Sequence, residues 1–221
     1  MTGRRFIPGR LVVATHNAGK LAEILQLLGS YGVEPVAAGD LGLPEPEENG
    51  PTFIANAEIK AIAAATATQL PALADDSGIV VESLDGAPGI YTARWAEPQR
   101  GAEPQRGAEP QRDFALAMRR TEDELAARGH GIDNPKAHRR AHFVCAFVLC
   151  WPDGHIEAVE GSVAGRVTWP PRGTHGFGYD PMFIPDGYAV TFGEMLPQAK
   201  QRLTHRTQAF NKLVARCFAA T

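Results

Sequence analysis

The sequence predicts an α/β domain, and three stretches carry that expectation. "LVVAT" (11–15) is a short, β-branched apolar run that passes through "HNAGK" into "LAEILQLLGSYG", where Leu21, Ile24, Leu25 and Leu28 recur at helical spacing. "TFIANAEIKAIAAATAT" is an alanine-rich helix signal that leads into the apolar stretch "ALADDSGIVV". "HFVCAFVLC" (142–150) reads as a strong central strand. At 221 residues the chain is long enough for one such domain, or two small lobes, around a real core.

Taken in order, the first helix has Gly32 where a C-cap would stand. "EPVAAG" suggests a second strand, followed by the acidic, Pro- and Gly-rich loop "DLGLPEPEENGP". Thr52 fits the N-cap of the alanine-rich helix, on which Asn56 and Lys60, four apart, share one face. "ALAD" and "IVVESL" read as two strands flanking the acids, and "DGAPG" as a turn. Residues 97–112, "EPQRGAEPQRGAEPQR", repeat a six-residue unit whose Pro, Gly and balanced charge cannot bury a core, so a solvated loop insertion is expected. "DFALAMRRTEDELAARG" resumes as an amphipathic helix, and "HIEAVEGSVAGRV" as a strand pair. In "LTHRTQAFNKLVARCFA", Thr204 is the N-cap signal and Phe210, Leu213, Val214, Cys217 and Phe218 form one face, which sets His205 and Arg206 in the first helical turn.

Composition excludes several classes. A net charge of -3 lacks the basic footprint of a duplex nucleic-acid binder. Hydrophobic residues at 44% and charged ones at 21% are ordinary for a soluble globular protein, and no run approaches the ~18 apolar residues of a membrane span. "MTGRRFIPGR" is not followed by a signal-peptide core. Cys145, Cys150 and Cys217 match neither a disulfide framework nor a zinc spacing and read as small core residues. A cytoplasmic, reducing compartment is expected, with no nucleic-acid or membrane partner.

Three constellations bear chemistry. In "THNAGK", a strand running into a helix start presents unpaired N–H groups to an anion, with Thr15, Asn17 and Lys20 as further donors; an ordinary strand–helix turn is the alternative. Asp75 and Asp76 are placed to hold Mg²⁺ at a strand end, with Glu47 and Glu48 as co-ligands, or simply to cap a turn before Ser77 and Gly78. In "THGFGYDP" (174–181), glycines flank Phe177 and let the backbone approach a flat ligand; a Gly-rich turn with core aromatics is the other reading. Lys200, His205 and Arg206 add donors. Phosphate donors, a metal site and a stacking ring together fit a nucleoside triphosphate.

In this order, "ATHNAGK", "EENGPTFIANAEIKA", "LADDSG", "DGAPGIYTARW", "THGFGYDP" and "LTHRTQAF" resemble the Ham1/RdgB-type inosine/xanthosine triphosphate pyrophosphatases over nearly the whole chain. The resemblance implies an elongated mixed β-sheet flanked by helices, two lobes with a central active-site cleft, a homodimer and a Mg²⁺ requirement. It also implies hydrolysis of ITP, dITP and XTP to the monophosphate and pyrophosphate. Carried over residue by residue, Thr15, His16, Asn17, Ala18, Gly19 and Lys20 would cradle the phosphates, supported by Lys60. Asp76 would be general base and metal ligand with Glu48, Asp75 would support that site, and Glu47 is a further candidate ligand. Ser77 would touch substrate. Phe177 would stack on the base in a pocket lined by Gly178, Tyr179 and Asp180, with Lys200, His205 and Arg206 at its carbonyl edge. Here His16 stands where some members carry glycine or asparagine, and Thr207 where glycine is common. Rival readings are a Maf-like pyrophosphatase of modified pyrimidine nucleotides, a non-catalytic nucleotide-binding regulator and a phosphatase releasing orthophosphate.

Overall fold

The structure, a computed structural model, describes residues 3–29, 31–97 and 112–218; apart from Glu97 and Arg112, the expected repeat insertion lies outside the described residues. The elements run β1 (Gly9–Val13), α1 (Ala18–Leu28), β2 (Val33–Ala37), α2 (Phe53–Thr68), β3 (Ala72–Val81), α3 (Phe114–Ala127), β4 (Arg140–Cys150), β5 (Ile156–Val167), β6 (Phe183–Pro185), α4 (Pro197–Gln201) and α5 (His205–Cys217). The strands form one mixed sheet in the order β2-β1-β3-β4-β5-β6. β1 pairs parallel with β2 and with β3, whereas β5 and β6 are antiparallel. No described helix is long and apolar enough to cross a membrane.

The chain divides into two compact units, one of Met1–Ser77, Val144–Ser162 and Thr204–Thr221, the other of Gly78–Phe143 and Val163–Leu203. In the first unit β1 from Leu11, β3 up to Asp76 and β4 from Val144 are buried on both faces, and the side-chain alternation of a strand decides which core each residue joins. Leu11, Val13, Leu73, Cys145 and Phe147 pack with Ile24 and Leu28 of α1 and Phe210 and Leu213 of α5. Val12, Ala14, Ala72, Ala74 and Val148 pack with Ala57, Ala61, Ala64 and Ala65 of α2. The alanine run thus does more than favour helix: it lets α2 lie close on the sheet. The second unit has its own core, in which Ile79, Val81, Leu125, Phe143, Phe183 and Phe192 meet.

The caps follow the sequence. Asn17 accepts from the Lys20 amide at 3.0 Å, Thr52 from Ala55 at 3.1 Å, and Thr204 from Thr207 at 3.1 Å, each satisfying an orphan N–H at a helix start. Three local expectations are corrected. The first helix closes at Gly29, and Gly32, at φ 64°, shapes the turn into β2 instead. Asp75 and Asp76 do not separate two strands; β3 runs unbroken through them. The expected strand pair is likewise one strand, β5. Its glycines are points of close approach rather than breaks. A Cβ on Gly161 would lie 2.9 Å from Ala209 Cα, and one on Gly165 would lie 3.0 Å from Pro185 Cα.

Candidate active site

The same alternation that sorts the core separates the two acids. Asp75 shares the face of Leu73 and Ser77, towards α1 and α5; Asp76 shares the face of Ala72 and Ala74, towards α2. Adjacent carboxylates therefore meet different partners.

Asp75 is fully buried, and its Oδ2 receives Lys20 Nζ at 3.2 Å and Arg206 Nη2 at 3.3 Å. Lys20 comes from the first turn of α1, Arg206 from the first turn of α5. Arg206 also donates to Ser77 Oγ at 3.0 Å and to Glu23 Oε2. Burial alone would raise the Asp75 pKa, but Lys20, Arg206 and Lys60 outweigh it and hold the carboxyl well below the usual carboxylate range. Its Oδ1 is buried with no hydrogen-bond partner among the described residues.

Asp76 is set differently. Asn56 Nδ2 donates to its Oδ2 at 3.1 Å, and the Ser77 amide to its Oδ1 at 2.9 Å. Burial pushes its pKa up; Lys20 and Lys60 pull it down, Glu48 adds to the rise, and the outcome is a carboxyl above its ordinary value. Lys60, one turn beyond Asn56 on α2, holds Glu48 Oε1 at 2.5 Å. Burial would lower the Lys60 pKa, but Asp75, Glu48 and Asp76 reverse this and keep it charged. Glu47, one residue before Glu48, is exposed.

Three cations, Lys20, Lys60 and Arg206, thus face four carboxylates, Glu23, Glu48, Asp75 and Asp76. Asp76 and Glu48 suit a hard divalent cation, which takes one or two carboxylates and completes its shell with water and phosphate oxygens. Among the described residues no three of His, Cys, Asp and Glu gather as a ready cage, so an incoming ligand's oxygens would have to complete the set. Asp75 is engaged by Lys20 and Arg206, and its charge also acts on Lys60, which holds Glu48.

The turn after β1 supplies the anion side. Thr15 Oγ1 accepts from the Asn17 amide at 3.3 Å, and Asn17 caps the 11-residue α1, so Ala18 and Gly19 stand where a helix start offers N–H groups. His16 Nε2 meets the Leu43 carbonyl at 3.0 Å. His205 is buried at the start of α5.

In the second unit, Asp180 organises the turn around Phe177. Its Oδ2 accepts the Phe177 amide at 2.8 Å and Lys200 Nζ at 2.6 Å. Gly176 has φ 76°, and a Cβ there would crowd Asp180 and approach Lys200 Nζ to 3.1 Å, so only glycine fits. Phe177 is half-buried, with Lys200 Nζ 5.4 Å from its ring centroid. Gly178, at φ 67°, lies against Phe114. Tyr179 is a core residue: its ring is buried and its hydroxyl donates to the Ala117 carbonyl at 3.2 Å.

The model of the Ham1 family matches residues 11–216. This chain belongs to the Ham1 family. A relative from Zymomonas mobilis, named dITP/XTP pyrophosphatase, is 55% identical over 97% of this chain and 94% of its own length. One from a Bradyrhizobium species, with the same name, is 54% identical over 98% and 97%. The solved Ham1 protein of Coxiella burnetii superposes with a TM-score of 0.77 at 34% identity, covering 92% of this chain and 95% of that one. A structure from Mycobacterium abscessus, described as a nucleoside-triphosphatase and dITP/XTP pyrophosphatase, gives 0.68 at 36% identity, covering 93% and 98%. The Ham1 fold, a mixed sheet flanked by helices, is the architecture that the sequence led one to expect.

Sequence reasoning placed Asn56 on the right helix face but gave it no role, and it passed over Glu23 and Gly161. Glu23 carried a signal, standing three residues after Lys20 on α1 and so on the same side. Gly161 had none: its reason is the backbone of α5, 48 residues further along the chain.

Proposed function

We propose that this Ham1-family chain hydrolyses non-standard purine nucleoside triphosphates, dITP, ITP and XTP, to the monophosphate and pyrophosphate, with Mg²⁺ as cofactor. One observation carries the reading. Two consecutive carboxylates are given different settings, Asp75 clamped by Lys20 and Arg206, Asp76 oriented by Asn56. Neighbouring carboxyls whose environments drive them apart are what acid–base chemistry needs. The names of the relatives support the substrate class.

Asp76 and Glu48 would hold Mg²⁺, which when bound neutralises phosphate charge and draws the polyphosphate into line. Asp76 takes the proton of a water aimed at the α-phosphorus, and the bond to the bridging oxygen breaks as pyrophosphate leaves. Asn56 keeps that carboxylate oriented. Lys60 secures Glu48 and adds positive charge beside the scissile anhydride. Lys20 and the amides of Ala18 and Gly19 receive the negative charge that builds on the leaving pyrophosphate. Thr15 and Asn17 shape this cradle, and Ser77 borders it.

For the base, the roles implied by the sequence resemblance are Phe177 as a stacking ring and Lys200, His205 and Arg206 as donors to a 6-carbonyl. A donor aimed at that carbonyl is left unpaired by the adenine amine, and such sites discriminate by ~10⁴. Tyr179 and Asp180 serve by holding the turn rather than by touching the ring. We take the cytoplasmic nucleotide pool as the place of action and a homodimer as the assembly, on the family resemblance; three buried free thiols accord with a reducing compartment.

The test is a panel of dITP, XTP, ATP, GTP and modified pyrimidine triphosphates with product identification, run with and without Mg²⁺. Pyrophosphate from dITP and XTP, in the presence of the metal alone, is expected. Orthophosphate as product, a pyrimidine preference, or tight binding without turnover would overturn the reading in favour of a rival.

A further inference from the structure

The metal-ligand candidate Glu48 rides on a segment without regular secondary structure. Residues 42–49 follow a short 3-10 turn, Gly39–Leu41, and precede α2, and none of them is buried. Pro44 and Pro46 have no N–H to donate. Beneath the segment is a cavity of about 80 Å³, walled by Ala38, Leu43, Pro44, Pro46, Ala63 and Ala64. Leu43 packs against the alanine core of α2 and the sheet, but beyond it the cavity leaves Pro44 and Pro46 without close packing beneath them.

Polar ties add to that one packed side chain. Downstream, Lys60 holds Glu48 Oε1 at 2.5 Å, and Asn56 Oδ1 accepts the Gly50 amide at 2.8 Å. Upstream, the Leu43 amide returns to the Ala38 carbonyl at 3.1 Å, and His16 Nε2 reaches the Leu43 carbonyl at 3.0 Å. A carbonyl only accepts, so Nε2 carries the hydrogen of that bond. His16 is itself well placed, lying between Thr15, whose amide returns to Val13 O at 3.0 Å, and Asn17, the N-cap of α1.

We infer that His16 is a positioning residue: its Nε2–H latches the Leu43 carbonyl and thereby fixes the segment that presents Glu48 beside Asp76. This deepens the proposed function and rests on it for the role of Glu48. The phosphate cradle and the metal-ligand segment are then tied by one imidazole, and His16 acts through the segment rather than on the substrate.

The test compares His16→Ala and His16→Gln, the latter because its amide nitrogen extends about as far as Nε2 and can donate to the same carbonyl. Hydrogen exchange is read over residues 39–52 in protein free of nucleotide and metal. Loss of the latch is expected to speed exchange of the Leu43 and Gly50 amides about tenfold in His16→Ala, with His16→Gln close to the parent. The Mg²⁺ concentration giving half-maximal dITP hydrolysis should rise severalfold in His16→Ala and return in His16→Gln. Unchanged exchange in His16→Ala, or equal disturbance in both variants, overturns the latch. Because exchange needs no turnover, it decides the latch even if the parent releases no pyrophosphate from dITP, a result that would overturn the proposed function alone.

Discussion

Arg206 Nη2 lies 3.3 Å from Asp75 Oδ2, and both side chains are withdrawn from water. The contact links the first turn of α5 to the middle of β3. A buried ion pair is weak evidence of net stabilisation, but removing one partner strands the other, at about 3–5 kcal/mol. Arg206→Met is therefore expected to lower unfolding free energy by about 3 kcal/mol, towards the lower end because Lys20 still attends Asp75. The double variant Arg206→Met/Asp75→Asn should recover part of that loss. Urea unfolding of the four species measures the coupling, and strict additivity would contradict the pairing.

Asp76→Asn keeps the shape and the Asn56 neighbour but removes the proposed base. The expected result is a fall in kcat of about 10²–10⁴ on dITP, with little change in the Kd of a non-hydrolysable dITP analogue. Asp75→Asn should instead weaken nucleotide binding and stability together, because it frees Lys20 and Arg206 from their shared carboxylate. Equal kinetic effects of the two variants would argue against the division of labour.

Gly161→Ala tests the seating of α5. The added methyl meets the Ala209 backbone, with Cα at 2.9 Å, so α5 must shift outward. Overpacking of this kind costs about 1–3 kcal/mol. The urea midpoint should drop with an unchanged slope, and kcat/KM on dITP should fall further than stability alone dictates, since His205 and Arg206 travel with the helix.

All three cysteines are buried, and burial pushes the Cys145 and Cys217 thiols up to about 12. Native protein should therefore give no reaction with Ellman's reagent at pH 8, and three thiols per chain once unfolded in guanidinium. A thiol that titrates in the folded protein would contradict the placement of these residues. Cys145 is the telling one, because it is fully buried and burial is the chief cause of its raised pKa.

The caps at Thr52 and Thr204 were legible because a cap is a local device, a side-chain oxygen meeting an amide three residues on, and Asn17, read only as a phosphate contact, caps α1 in the same way. The shared face of Asn56 and Lys60 was legible because helical periodicity is local too. By itself the sequence determined the α/β alternation, the starts of α2 and α5, the residue types of the candidate site and, through six ordered motifs, the family. Tertiary structure alone decided that β3 passes unbroken through two acids, that Asp75 belongs with Lys20 and Arg206 while Asp76 belongs with Asn56, and that His16 reaches Leu43. The physical reason is that a buried charge is tolerable in a strand only where opposite charge is delivered to it. Here that charge comes from helices distant in the chain, and strand alternation then assigns each carboxylate to its own side.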